Sequence, residues 1–309
     1  MPIPLLVLAG PTGVGKSAVA VAVAQALRGE VVGADSMQVY RGMDVGTGKL
    51  PPEEMGGVPH QMIDVWEPED PGSAGRYLRE ARAAIVAVHG RGNLPVLCGG
   101  TGLYIRAVID GLAEGAGRDP AVEEGLAARL RADGPAPLHV ELTQVDPAAA
   151  ARIAPNDGFR IIRALGVFRA TGTPFSHHQE AATVAGDYRA VYVRLHRPRS
   201  ELYGRIDARV AAMFAAGFVE EVRRLAPRLG PTARAAIGYR ECLQHLAGEM
   251  DLATTVAAVQ QATRRYAKRQ LTWFRAVSGA SEVTIAGESG GAVERIVKLV
   301  RDRGLASDR

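Results

Sequence analysis

At 309 residues, 47% hydrophobic and 23% charged, the chain has the composition of a soluble globular protein, long enough for one large core and a smaller second unit. No apolar run approaches the roughly 18–20 residues of a membrane span. Two cysteines, Cys98 and Cys242, supply neither a disulfide framework nor metal-ligand spacing, so cytoplasmic residence is the default expectation. The net charge of +4 is unevenly placed: residues 1–110 carry 9 Lys/Arg against 11 Asp/Glu, and residues 111–309 carry 28 against 22. The stretch Arg264–Arg275 is basic with no acid in it. A polyanionic partner and a plain solvated helix face both account for it, and charge alone favours the second.

In chain order, Leu5–Ala9 is an apolar run ending at Gly10, which predicts a buried parallel strand rather than a signal peptide, since no basic n-region precedes it. Ser17–Leu27 is Ala-rich and predicts a helix. Glu30–Ala34 predicts a second strand, followed by Asp35-Ser36, and His60–Val65 a third. Ala74–Val88 has helical spacing, and Leu94–Cys98 reads as a buried strand stopped by Gly99-Gly100. Strands alternating with helices predict an α/β sheet, mostly parallel. After the Gly-rich link GLAEGAGRDP, residues 119–182 read as short helices. Ala190–Leu195 looks like a strand returning to the sheet, with helices over Arg199–Ala216 and Thr254–Val277 and a frayed tail LASDR. The expected organisation is therefore a core of residues 1–114 and 186–309 with a helical insertion over 115–185.

Gly10-Pro11-Thr12-Gly13-Val14-Gly15-Lys16-Ser17 matches the P-loop pattern without a departure, with a strand before it and a helix after it. Glycines let successive N–H groups curl inward toward phosphates, and the helix N-terminus adds partial positive charge. Lys16 brings a full charge, and the Ser17 hydroxyl is a candidate Mg²⁺ ligand. The fold expectation is P-loop NTPase-like, with flanking helices and the helical insertion. Asp35 follows a neighbouring strand and so faces the same crevice. It is a candidate general base or Mg²⁺ ligand, the alternative being a cap on the following turn. Thr101, after Gly99-Gly100, should look into that crevice, and the glycine pair admits close backbone approach. These residues alone leave an ATP-dependent small-molecule kinase open, with Asp35 as base for a hydroxyl, as well as a non-catalytic RNA-binding P-loop protein. Against the kinase, no arginine-bearing lid motif is found.

Taken together, GPTGVGKS, ADSMQVYRGMDVGTGK, PHQMIDV, GGTGLYIRAVIDGL, PNDGFRIIRAL, IGYRE and RRYAKRQLTWFR resemble the bacterial tRNA dimethylallyltransferase (tRNA isopentenyltransferase) family, in order from residue 10 to about residue 275. The resemblance implies transfer of a dimethylallyl group from dimethylallyl diphosphate to N6 of the adenosine 3′ of the anticodon, with Mg²⁺. It implies Lys16, Asp35, Thr101 and Arg209 as catalytic residues and residues Gly10–Ser17 as the diphosphate cradle. Asp35, Ser36, Met37, Gln38 and Thr101 would meet the target nucleotides. Glu123, Phe159, Arg160, Ile161, Ile162 and Arg163 of the insertion, with Gly238, Tyr239 and Arg240, would contact tRNA. Gln38 can both donate and accept, so it suits an adenine edge. Arg205, one turn before Arg209, is the less favoured choice for the same role, the alternative being a surface arginine. Trp273 and Phe274 can stack bases, with core packing expected for at least one. The chain departs from the family pattern at Phe159, often Gln; at Ala235-Ala236, often Arg-Cys; and at Glu123, an arginine in some members. These departures bear on single RNA contacts and not on the chemistry. The expected partners are the tRNA anticodon stem-loop and dimethylallyl diphosphate, with no membrane and with the chain acting as a monomer.

Overall fold

Leu5 to Ala9 are all fully buried because β1 (Ile3–Ala9) lies inside a sheet covered on both faces. Alternate side chains point to opposite faces. Leu6 and Leu8 enter one core with Val31, Val96, Val193 and the helix residues Val19, Val23 and Ile296, while Leu5, Val7 and Ala9 face the other side. The computed structural model describes residues 1–112, 119–181, 187–285, 287 and 290–306.

After β1 come α1 (Lys16–Leu27), β2 (Gly29–Ala34), a 3₁₀ turn (Pro52–Met55), β3 (His60–Gln61), α2 (Ala74–Gly90), β4 (Leu94–Gly99) and α3 (Gly102–Asp110). The next run is helical: α4 (Pro120–Asp133), α5 (Pro135–Val145), α6 (Pro147–Ala150), α7 (Gly158–Thr171) and α8 (Phe175–Ala181). Then follow β5 (Tyr188–His196), α9 (Arg199–Ala215), α10 (Phe218–Leu225), α11 (Pro231–Arg234), α12 (Tyr239–Leu246), α13 (Leu252–Arg275), β6 (Ser281–Thr284) and α14 (Gly290–Asp302).

The six strands form one sheet in the order β3-β2-β4-β1-β5-β6, and every ladder among the described residues is parallel. All carboxyl ends therefore lie along one edge. The chain's direction across the sheet reverses at β1, with β2, β3 and β4 on one side and β5 and β6 on the other, which makes the loop after β1 a topological switch point. The expected strand over His60–Val65 is only two residues long. Met62 and Asp64 take left-handed φ of 61° and 55°, which ends the ladder and sends the chain toward Val39, whose carbonyl accepts from Val65 and Trp66.

The chain divides into two compact units, Met1–Ile109 with Gly186–Arg309, and Asp110–Ala185. The second unit is helical and closes on Leu126, Leu138, Leu142, Ile161, Ala164 and Leu165, all buried. Capping explains its short helices: Asp119, Asp146 and Asp157 each accept a backbone N–H in the first turn that follows. Most of the expected Gly-rich link, residues 113–118, lies outside the described residues, as do 182–186 and the last three residues of the tail.

Candidate active site

The loop Gly10–Gly15 leaves β1 and runs into α1. Gly13 and Gly15 take φ of 80° and 103°, the left-handed region that glycine adopts without strain. The Lys16 ammonium donates to the carbonyl of Pro11 at 2.8 Å, folding back over its own loop. Burial pushes its pKa down to about 8; the nearby Cys98 and Asp35 oppose the shift and Arg209 adds to it. Three more cations reach the loop. Arg197, buried behind it, donates from Nε to Val14 O at 3.3 Å and pairs with Glu201. Arg205 donates from Nε to Gly13 O at 3.0 Å. Arg209 reaches Thr12 Oγ1 at 3.3 Å, and the carbonyls of Thr47 and Gly48 at 3.3 and 3.1 Å. Arg205 and Arg209 share a face of α9 because they stand four apart. Arg205 is exposed, as a surface arginine should be, yet its guanidinium is seated on the phosphate loop.

At the end of β2, Asp35 Oδ1 accepts from the backbone N–H groups of Met37 and Gln38 at 2.9 and 3.3 Å. The turn-cap reading of Asp35 is thus observed. It does not compete with a chemical role, because an ionised carboxylate has four acceptor positions. Thr101, at the end of β4, accepts the Ser36 N–H on Oγ1 at 3.0 Å, and its own N–H donates to Ala34 O at 3.0 Å. The tips of β2 and β4 are tied together this way. Gly99 is required there, since a Cβ would collide with the backbone of Ala34.

Gln270 of α13 links the P-loop to that turn. Its Oε1 accepts from Thr12 N–H at 2.9 Å, and its Nε2 donates to Gly100 O at 2.8 Å. One turn earlier, burial and the Asp35 charge push the Tyr266 phenol up to about 12, against the pull of Thr101, Arg269 and Gln270. Two cavities meet this arrangement. One, of about 260 Å³, is lined by Thr12, Asp35, Ser36, Arg209 and Tyr266, with Ile206, Val210, Met213 and Val259 as an apolar wall. The other, of about 1090 Å³, opens on Lys16, Ser17, Gly48, Lys49 and Arg205. Arg209 and Met213 line both.

A family model described as IPP transferase matches residues 38–277, and one described as isopentenyl transferase matches residues 3–65. The tRNA dimethylallyltransferase of Symbiobacterium thermophilum is 46% identical over 317 aligned residues, covering 100% of this chain and 98% of that protein. This chain belongs to the tRNA dimethylallyltransferase family. The enzyme of that name from Geobacter sulfurreducens is 50% identical, covering 88% of each chain. The solved full-length tRNA isopentenylpyrophosphate transferase of Bacillus halodurans shares 37% identity and a TM-score of 0.73, over 97% of this chain and 96% of that one. A eukaryotic dimethylallyltransferase caught acting on tRNA shares 26% identity and a TM-score of 0.81, over 97% and 79%. The chain is thus a prenyltransferase on a P-loop NTPase-like fold, and the small-molecule kinase alternative is not favoured.

Seen as a member of the tRNA dimethylallyltransferase family, the chain has Asp35 and Arg209 on the first cavity and Lys16 and Arg209 on the second, with Thr101 bonded to Ser36 beside the first. Two residues expected to contact tRNA have buried side chains. Ile161 is fully buried in the core of the second unit. Tyr239 is fully buried, and its phenol donates to Glu221 at 2.5 Å. Gly238 is buried too: its φ is 89° and a Cβ would meet Phe218, which accounts for the glycine. Arg240 is exposed and pairs with Glu241. Gln38 has its amide nitrogen engaged on Thr47 O and Gly48 O at 3.2 and 3.3 Å. In the second unit, Glu123 and Arg163 face each other at 3.5 Å. Arg160 caps back on Asp157, and Phe159 is largely exposed. Phe274 packs in the core and Trp273 is partly exposed.

Sequence reasoning passed over Gln270, Tyr266 and Glu221. Glu221 had a readable signal. In FVEEVRRL, Phe218, Val222 and Leu225 mark the buried stripe of α10, and Glu221 lies on that stripe while its neighbour Glu220 does not.

Proposed function

We propose that the protein transfers a dimethylallyl group from dimethylallyl diphosphate to N6 of the adenosine immediately 3′ of the anticodon in tRNA, releasing diphosphate. One observation carries this reading. A cavity lined by Thr12 of the phosphate loop, Asp35, Arg209 and an apolar wall of Ile206, Val210, Met213 and Val259 shares Arg209 and Met213 with the cavity that opens on Lys16 and Ser17. A short allylic chain lies along such a wall, with its diphosphate on the loop and its reacting carbon toward Asp35.

The leaving diphosphate gains negative charge as the allylic C–O bond breaks, so preorganised cations act where charge develops. Lys16, Arg209 and Arg205 are the candidates, together with the loop's inward N–H groups. Lys16 is held on Pro11 O rather than on an acid, so it can be handed to a phosphate oxygen without breaking an ion pair. Among the described residues no group of three or more His, Cys, Asp or Glu forms a cage for a metal. A single hydroxyl, Ser17, at the start of α1 and beside a bound diphosphate, fits Mg²⁺ instead, since that ion keeps its waters and leans on substrate phosphates. When bound there, it would supply further neutralisation of the leaving group.

An adenine amino group is a weak nucleophile whose proton becomes acidic once the new C–N bond forms. Asp35 is the general base on this reading, its Oδ1 orientation fixed by the Met37 and Gln38 N–H groups. Reaching it requires the base to leave the loop's stack, which single-stranded loops allow. Thr101 positions the Ser36 strand tip against which the extruded base would lie. The likeness to a eukaryotic dimethylallyltransferase that acts on tRNA supports the acceptor. Incubation with dimethylallyl diphosphate, Mg²⁺ and an unmodified anticodon stem-loop, followed by nucleoside mass spectrometry, tests the whole reading. A dimethylallyl adduct on the adenosine 3′ of the anticodon is expected; its absence with authentic tRNA would reject the reading.

A further inference from the structure

The Glu221 carboxylate is 4% exposed and takes part in no ion pair among the described residues. It accepts instead from three consecutive backbone N–H groups, those of Asp44 and Val45 on Oε2 at 2.9 and 2.7 Å and that of Gly46 on Oε1 at 3.0 Å. The Tyr239 phenol adds a fourth donor. Burial and the Glu221 charge hold that phenol far above its usual pKa, so it stays a donor. Three N–H groups of a turn outside any ladder need acceptors, and one carboxylate supplies them all.

The loop held this way ends in the two carbonyls that organise the site. Thr47 O and Gly48 O accept from Arg209 and also from Gln38. Its fit is tight on both sides. A Cβ on Gly46 would collide with Phe218 and Tyr239, and one on Gly48 with the Arg209 guanidinium. Lys49 anchors the far end on Tyr40 O at 2.6 Å and Asp64 at 2.5 Å.

We propose that Glu221 is a positioning residue for the transfer, which sets the Thr47 and Gly48 carbonyls and through them fixes Arg209 toward the diphosphate and Gln38 toward the acceptor nucleotide. The proposal rests on the proposed role of Arg209. Glu221 touches no reacting atom; it acts by keeping two others in register, and small misplacements are costly in such sites.

The test is a double-mutant cycle of Glu221→Gln with Arg209→Lys, read as kcat and KM for dimethylallyl diphosphate well below each variant's Tm. The Gln side chain keeps the size but faces the loop's N–H groups with an amide that has only one acceptor oxygen. Expected is a fall in kcat on the order of 10–100-fold for Glu221→Gln, with tRNA affinity nearly unchanged. In the Arg209→Lys background the same change should cost far less, because its target is already displaced. A full-strength, multiplicative effect in that background, or an unchanged kcat with only a lowered Tm, overturns the proposal. Should Glu221→Gln not fold, Tyr239→Phe removes one donor and leaves the loop bonds; a drop of about two- to tenfold in kcat is expected, and none at all overturns it. An Arg209→Lys variant with normal turnover would instead refute the role of Arg209, which separates the two failures.

Discussion

The two edges of the parallel sheet treat charge in opposite ways. At the amino edge, Glu30 is closed off: Arg91 donates to it at 2.9 and 2.6 Å, Asn93 at 2.8 Å and Gln61 at 3.1 Å. The Arg91 hydrogen bonds pull its pKa down to about 2 against the cost of burial, with help from Asn93 and Gln61. At the carboxyl edge, Lys16, Arg205 and Arg209 rest on the carbonyls of Pro11, Gly13, Thr47 and Gly48. Among the described residues none of these three makes an ion pair with a carboxylate. A carbonyl satisfies an N–H without cancelling the cation's charge. The acid of one edge is therefore neutralised by the protein itself, while these three cations of the other keep their charge for a polyanion, beside Arg197, paired with Glu201, and Lys49, paired with Asp44 and Asp64.

The sharpest way to break this contrast is at the acid set among these cations, Asp35. Asp35→Ala should cut transfer on the order of 10²–10⁴-fold, since a general base is removed, and leave tRNA binding largely intact. Filter binding alongside single-turnover transfer separates the two, and near-normal turnover removes Asp35 as the base. Next in size is Lys16→Ala, expected to cost on the order of 10²–10³-fold in use of the diphosphate. The same residue carries a pH signature. Its pKa of about 8 in the free protein means the ammonium is present below that pH and lost above it. Diphosphate affinity should therefore weaken as pH rises past 8, approaching a tenfold loss per unit, and Lys16→Arg should flatten the profile. Titration calorimetry with inorganic diphosphate from pH 6.5 to 9.5 measures this; a flat wild-type profile contradicts it.

How legible the two edges were from sequence differs for a physical reason. The P-loop is read from spacing because backbone curvature demands glycine at fixed positions, and Asp35 is read from its place just after a strand. The parallel sheet follows from apolar runs such as LPVLC. Gln270, by contrast, acts on Thr12, 258 residues away, and Glu221 on Asp44, 177 away. Nothing local distinguishes a carboxylate that will meet three N–H groups from one that meets water, beyond its place on the apolar stripe of α10. The resemblance names Ile161 and Tyr239 as tRNA-binding and their side chains are buried, because a short motif shows which residues matter and not which way they point. β3 was overread because Met62 and Asp64 leave the extended region, which no apolar pattern announces.

The basic run of α13 sharpens the contrast more gently. Arg264 is paired with Asp207 of α9 and so belongs to the packing between two helices, whereas Arg265, Lys268 and Arg269 are exposed. Neutralising the latter three should reduce the slope of log affinity for tRNA against log salt by up to about 0.7–0.9 per residue that meets a phosphate. An unchanged slope would mark the run as an ordinary solvated face. Arg264→Gln should lower Tm without that change in slope.

The smallest effect on chemistry belongs to the amino edge. Arg91→Ala leaves Glu30, buried at 3% side-chain exposure, with Asn93 and Gln61 as its remaining donors. Transfer kinetics should match the wild type, because no group on that edge faces either cavity of the site. Stability should not. A carboxylate whose folded pKa is depressed contributes stability above its unfolded pKa and loses it as pH falls through the folded one. For Glu30 that window runs from about 4.5 down to about 2. Wild-type Tm should therefore decline across the upper part of that window. Arg91→Ala should begin on the order of 2–4 °C lower at neutral pH and show a shallower acid decline, since its Glu30 has less depression to lose. Calorimetric scans at pH 7, 4.5 and 3.5 decide the point. Parallel Tm curves would mean that Arg91 does not govern the charge of Glu30. A loss of transfer activity would mean that the two edges are coupled through the strands, and that the carboxyl edge depends on the closed one for the placement of Asp35 at the far end of β2.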